Sequence, residues 1–182
     1  GTRTYAQALA LYDALEKEEL SPALQKNVSS GLIWAGIKSD DKEYAWEAFE
    51  RLSAAGRMQK EDIQNWKLWF SQFFFAEAKW DKGENILKSI LSEKPPDEIR
   101  NQALWLLAKM TVDHGREKEG AGYLKDLIKG DKRQSSVSLG FYLLAKVYEN
   151  EGKWKEAVSV YETFLDGMYD ENYRYPALKK VG

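Results

Sequence analysis

In Ala157-Val158-Ser159-Val160-Tyr161-Glu162-Thr163-Phe164 a small residue is followed by an aromatic four positions on and a second aromatic three beyond that. Residues three and four apart stack along one face of an α-helix, so this spacing predicts a helix with a buried stripe. The same stripe recurs upstream. The small position is Ala157, Gly120, Gly83, Ala45 and Ala8, stepping back by 37, 37, 38 and 37 residues. The next position reads Tyr161, Leu124, Leu87, Phe49 and Tyr12, and the one after it Phe164, Leu127, Ile90, Leu52 and Leu15. Fifteen positions hold one spacing with a single one-residue slip, which marks an internal repeat and not chance apolar clustering.

Each of the last three units carries an earlier helix whose small residue lies 12 positions before that of the second: Ala145, Ala108 and Ser71. Around it Phe141, Leu144 and Tyr148 in the last unit, and Leu104 and Leu107 in the one before, again share one face. Glycine stands where the first helix of a pair should end, in Asn150-Glu151-Gly152-Lys153 and Asp113-His114-Gly115-Arg116; the third unit has Ala78-Lys79 instead. Ser21-Pro22, Pro95-Pro96-Asp97 and Gly130-Asp131 separate the units, since proline suits a first helical turn and breaks an interior. The chain therefore reads as all-α, two helices to a unit.

Small residue, aromatic, glycine turn and then Ala-x-x-x-Tyr-x-x-Phe resembles the tetratricopeptide repeat family. Leu144-Ala145, Tyr148, Ala157, Tyr161 and Phe164 carry the closest likeness, and Pro95 stands where a family proline closes a unit. The period of 37 exceeds the family's usual 34, and Lys67 and Ser71 replace apolar and small residues in the third unit. The resemblance implies a right-handed α-solenoid of antiparallel helix pairs. One repeat domain is expected over residues 1–182. It would hold a partial unit at 4–20, units at about 22–56, 61–94, 97–130 and 134–167, and a cap or truncated helix at 168–182 containing Tyr169, Tyr173 and Tyr175. Because the pattern starts in mid-unit, it is read as part of a longer array or as one with a partner covering an end.

Composition narrows the function. With 27 basic against 29 acidic residues and a net charge of −2, no broad basic field exists to hold a phosphate backbone, so nucleic acid is not expected as a partner. The absence of cysteine removes disulfides and thiolate chemistry but leaves the compartment undetermined. No run approaches the roughly 18–20 apolar residues that span a bilayer, so no membrane insertion is expected of this chain. The one histidine, His114, falls in a helix-ending turn and reads as a solvated residue there, too little for a zinc site. Gly120-Ala121-Gly122 lacks the strand and the Lys-Ser/Thr of a phosphate loop, and its glycines suit close helix packing. Asp40-Asp41 and the run from Asp166 to Glu171 lack the ligand spacing of a calcium loop. The expectation is a protein without catalysis, cofactor or metal.

What remains is the inner face of the first helices, which in the family lines a concave groove. Carried over position by position, that face is Asn65, Leu68, Gln72, Phe75 and Ala76, then Gln102, Trp105, Lys109, Val112 and Asp113, then Leu139, Tyr142, Lys146, Glu149 and Asn150. Aromatic anchors among amides and cations suit an extended peptide or a partner helix. For each ring two readings stand, groove lining or inter-helix core. The family's carboxylate clamp of two lysines, an arginine and two asparagines is not matched. Its positions fall either on Ser30, Trp34, Trp69, Gln102 and Leu106 or on Leu68, Gln72, Leu106, Leu139 and Leu143, and neither set neutralises a carboxylate. The expected function is a scaffold binding a protein or peptide in the groove. Two alternatives remain open: assembly by end-on stacking within a larger protein or homo-oligomer, and a non-catalytic accessory role in an enzyme or secretion complex.

Overall fold

The computed structural model describes residues 2–166. The expected cap at 168–182 and the acidic run beyond Asp166 lie outside them. Among the described residues the regular structure is wholly α-helical, in nine helices: α1 (Thr2–Glu16), α2 (Pro22–Lys38), α3 (Lys42–Ala54), α4 (Lys60–Ala76), α5 (Trp80–Ser92), α6 (Asp97–Asp113), α7 (Glu117–Leu127), α8 (Ser135–Asn150) and α9 (Trp154–Leu165). None is long and apolar enough to cross a membrane. The chain divides into two compact units, Gly1–Trp66 and Lys67–Gly182, the division falling inside α4.

In the first unit α2 packs against both α1 and α3. The close approaches are made where side chains are small. Gly31 of α2 lies directly under the Tyr12 ring, and a Cβ on Gly36 would stand 3.0 Å from Cβ of Ala45, the small position of α3. Tyr44 of α3 donates its hydroxyl to both carboxylate oxygens of Asp13 on α1, at 2.8 and 2.9 Å. Burial, with the Asp13 carboxylate alongside, pushes the Tyr44 phenol up to about 12. Asp41 caps α3 conventionally, accepting from the Tyr44 amide at 3.0 Å.

In the second unit each helix from α5 to α9 packs against its neighbour in sequence, and α6 also touches α8, two helices on. Ladder positions fall in the core: Leu87, Ile90, Leu124, Leu127, Tyr161 and Phe164 are all buried. Burying such a side chain contributes roughly 1.5–3 kcal/mol, so these stripes are the main reason the helices associate. The small positions act by admitting a neighbour. Gly83 lies against the Phe75 ring, and a Cβ on Gly120 would stand 2.5 Å from Val112 Cγ2 and 3.2 Å from the Ala108 carbonyl oxygen. The two departures in α4 are accommodated locally. Ser71 is buried and donates to the Leu68 carbonyl at 2.7 Å, while Lys67 Nζ meets Glu93 Oε1 at 2.6 Å.

Turns inside the pairs place one residue in the left-handed region, at Asp40 (φ 65°), Ala78 (57°), Gly115 (72°) and Gly152 (72°). Steps of 38, 37 and 37 residues between them follow the ladder, so the backbone demands this conformation even where the sequence supplies alanine.

The two glycines of Gly120-Ala121-Gly122 are expected to respond to alanine with opposite signs. Gly122 has nothing within 4 Å of its Cβ position and lies inside α7, so Gly122→Ala should stabilise by about 0.5–1 kcal/mol. Gly120→Ala forces a methyl into Val112 and the α6 backbone and should destabilise by about 1–3 kcal/mol. Urea midpoints of the two variants give the comparison; equal stabilisation would be incompatible with the close approach of α6 and α7.

Candidate partner-binding site

The expected groove residues separate into three groups. Leu68 and Phe75 are core. Both sit in one apolar cluster with Leu87, Ile90, Ile99, Ala103 and Leu107, and Phe75 also stacks on Trp80 with ring centroids 6.1 Å apart. Of the two readings open for Phe75, its surroundings fit the inter-helix one: the ring fills the space that Gly83 leaves, and 8 % of the residue is exposed.

Glu149 and Asn150 hold helix ends. Glu149 accepts from the Tyr161 hydroxyl at 3.2 Å, and Asn150 Nδ2 donates to Glu117 Oε1 at 3.4 Å. Burial and the Glu149 carboxylate push the Tyr161 phenol well above its ordinary range, so this hydroxyl stays a donor. Asn65 is exposed and belongs to the first unit.

The third group is accessible and periodic. Gln72 on α4 and Gln102 on α6 are exposed, Gln72 donating back to the Leu68 carbonyl at 3.3 Å. Trp105 on α6 and Tyr142 on α8 are half-buried, each with one side packed on the same apolar cluster. They are 37 residues apart and hold the same repeat position on two helices that touch. Lys109 and Lys146, one turn further along the same helices, are exposed. Lys109 pairs with Asp113 at 2.6 Å, and Lys146 Nζ lies 5.5 Å from the Tyr142 ring centroid. Two contacting helices thus present the same triplet, a polar or aliphatic residue, an aromatic and a lysine: Gln102-Trp105-Lys109 and Leu139-Tyr142-Lys146.

A second feature escaped the sequence. Arg116 forms a double hydrogen bond to Glu84, at 2.6 and 3.1 Å, and also meets Glu119 at 2.6 Å, while Lys88 pairs with Glu84 at 2.6 Å. The guanidinium and the ammonium hold the Glu84 carboxyl down to about 2. Beside this network a cleft of roughly 220 Å³ is lined by Trp80, Met110, Thr111 and His114 together with Glu84 and Arg116. The pairs Glu84-Lys88 and Arg116-Glu119 have helical spacing visible in sequence, but the link between Glu84 and Arg116 spans 32 residues and has no local signal. Among the described residues no group of three His, Asp or Glu side chains converges as for a metal ion. Compared with models of known families the sequence matches none, and a comparison with curated proteins finds no match.

Proposed function

We propose that the chain is a tetratricopeptide-like solenoid without catalytic function, and that it binds a partner segment along the accessible face of its first helices. Repetition supports this reading: Trp105 and Tyr142 occupy equivalent positions on contacting helices, each half-exposed and each followed one turn later by an exposed lysine. A ring anchored on one side and open on the other offers apolar area that is already ordered, so a ligand covering it loses little side-chain entropy. Evenly repeated aromatics and amides suit an extended peptide, whose side chains recur at regular intervals and whose backbone groups need polar partners. With Phe75 committed to the core, the site reduces to Gln102, Trp105, Lys109, Tyr142 and Lys146, with Gln72 at its margin.

Selection of a random peptide library displayed on phage against the purified chain tests the reading. Selected peptides should lose at least about tenfold in affinity on Trp105→Ala or Tyr142→Ala, as truncation of an interface aromatic does. Both variants should keep the wild-type circular dichroism spectrum. Peptides that bind the double variant as well as the wild type would place recognition elsewhere.

A further inference from the structure

Lysine follows the groove aromatic by one turn on both α6 and α8, but only one of the two lysines is neutralised. Lys109 Nζ meets Asp113 Oδ2 at 2.6 Å, a pair four residues apart at the end of α6. The residue 37 positions after Asp113 is Asn150, the last of α8, and its amide donates to Glu117 at 3.4 Å. Lys146 therefore lacks the carboxylate that its counterpart has. Its ammonium lies 5.5 Å from the Tyr142 ring centroid, and among the described residues no acidic side chain pairs with it. Glu149, three residues on, accepts from the Tyr161 hydroxyl instead.

The asymmetry sets what a segment lying across the two helices must carry. A chain that covers the Tyr142 ring also covers the ammonium over it, and a cation taken from water without a partner is costly. A carboxylate offsets that cost through a charge-assisted hydrogen bond. At Trp105 no such demand arises, since Lys109 already has Asp113. An apolar side chain suits that ring, whose other side is packed on the core. Packed helices lie about 8–10 Å apart, which an extended chain spans in about three residues.

We infer, resting on the groove proposed above, that the partner segment is acidic at one end of this face. An internal Asp or Glu of that segment pairs with Lys146 over Tyr142, about three residues from an apolar side chain seated on Trp105. An internal side chain fits better than a chain end, because a terminal carboxylate is held by several converging donors and Lys146 is a single one.

The probe is a synthetic copy of the most enriched phage peptide, amidated and fluorescein-labelled, followed by fluorescence anisotropy. Lys146→Gln should weaken its binding at least about fivefold and flatten the salt dependence. Replacing the peptide's acidic residue by lysine should weaken binding to the wild type, and Lys146→Glu should restore it. A lysine that only supports the Tyr142 ring would give no such charge swap. Asn150→Asp, which gives Lys146 the partner that Lys109 has, should weaken the acidic peptide at least about threefold with an unchanged circular dichroism spectrum. Peptides that need Trp105 and Tyr142 but carry no acidic residue, or bind Lys146→Gln as tightly as the wild type, would overturn the assignment and leave the groove standing. Peptides indifferent to both ring truncations, or a selection that enriches none, would overturn both. Tighter binding of a Gln-substituted peptide with a free C-terminal carboxylate than of the amidated acidic one would identify a chain end as the occupant and overturn the assignment too.

Discussion

Phe141→Ala is expected to lower the stability of the second unit by about 3–5 kcal/mol, the usual range for deleting a phenyl ring from a packed core. Phe141 is 1 % exposed, its ring lies 5.5 Å from that of Phe164, and Lys132 Nζ stands 5.6 Å over it. It belongs to the cluster that joins α6, α7, α8 and α9 through Leu104, Leu124, Leu144 and Tyr161. The cluster draws side chains from four helices, which limits collapse into the cavity and places the loss towards the upper part of that range. The adjacent Tyr142→Ala removes a ring of similar size from a half-exposed site and should cost no more than about 1–1.5 kcal/mol. Urea unfolding followed by circular dichroism measures both. A Phe141→Ala loss below about 1 kcal/mol would show that the apolar ladder is not what joins these helices.

That contrast between sequence neighbours marks where the sequence is legible. The second-helix ladder could be read directly because one stripe of each of α3, α5, α7 and α9 is buried, and burial imposes a 3.6-residue period that a 37-residue repeat then copies. Gly83, Gly120, Ala157, Leu87, Leu124 and Tyr161 are all buried as that period requires. The left-handed turn positions were equally visible at Gly115 and Gly152 and concealed at Ala78, where the backbone overrides the residue preference. First helices are harder because they have two apolar sides, one towards the partner helix of the pair and one towards the next pair, so periodicity alone does not say which rings remain open.

Phe75 illustrates the difficulty and the signal that resolves it. The residue eight positions before the small position of the second helix is Phe75 opposite Gly83, Val112 opposite Gly120 and Glu149 before Ala157. In the two glycine pairs the apolar side chain fills the space a Cβ would occupy. In the last unit, with Ala157 at the small position, the residue is a glutamate that accepts from the Tyr161 hydroxyl. The size relation between the two positions is present in the sequence and marks Phe75 as a core ring. The Glu84–Arg116 link has no such trace, because it depends on two long side chains meeting across a helix pair.

Glu84→Gln is expected to cost about 1–2 kcal/mol at neutral pH and to remove an acid-side pH dependence. The Glu84 side chain is largely enclosed and accepts from Arg116 and Lys88, which hold its carboxyl at about 2 against an ordinary 4.5. A carboxyl with a folded-state value below its unfolded one stabilises the fold fully above about pH 4.5. That contribution is lost as pH falls from there towards 2. The shift alone would set a ceiling of about 3 kcal/mol. Side chains of Arg116 and Lys88 are 45 and 48 % exposed, so solvent screens the pair and the smaller figure is the expected one. Asp131 is also held at about 2, by Arg133 two residues on, and this local pair is common to wild type and variant, so it cancels in their difference. Unfolding free energies in urea between pH 2 and 7 should therefore differ by a constant amount above about 4.5 and converge below it. A difference that stays constant across the whole range would mean the carboxylate charge contributes nothing, leaving Arg116 with Glu119 alone to fix the start of α7.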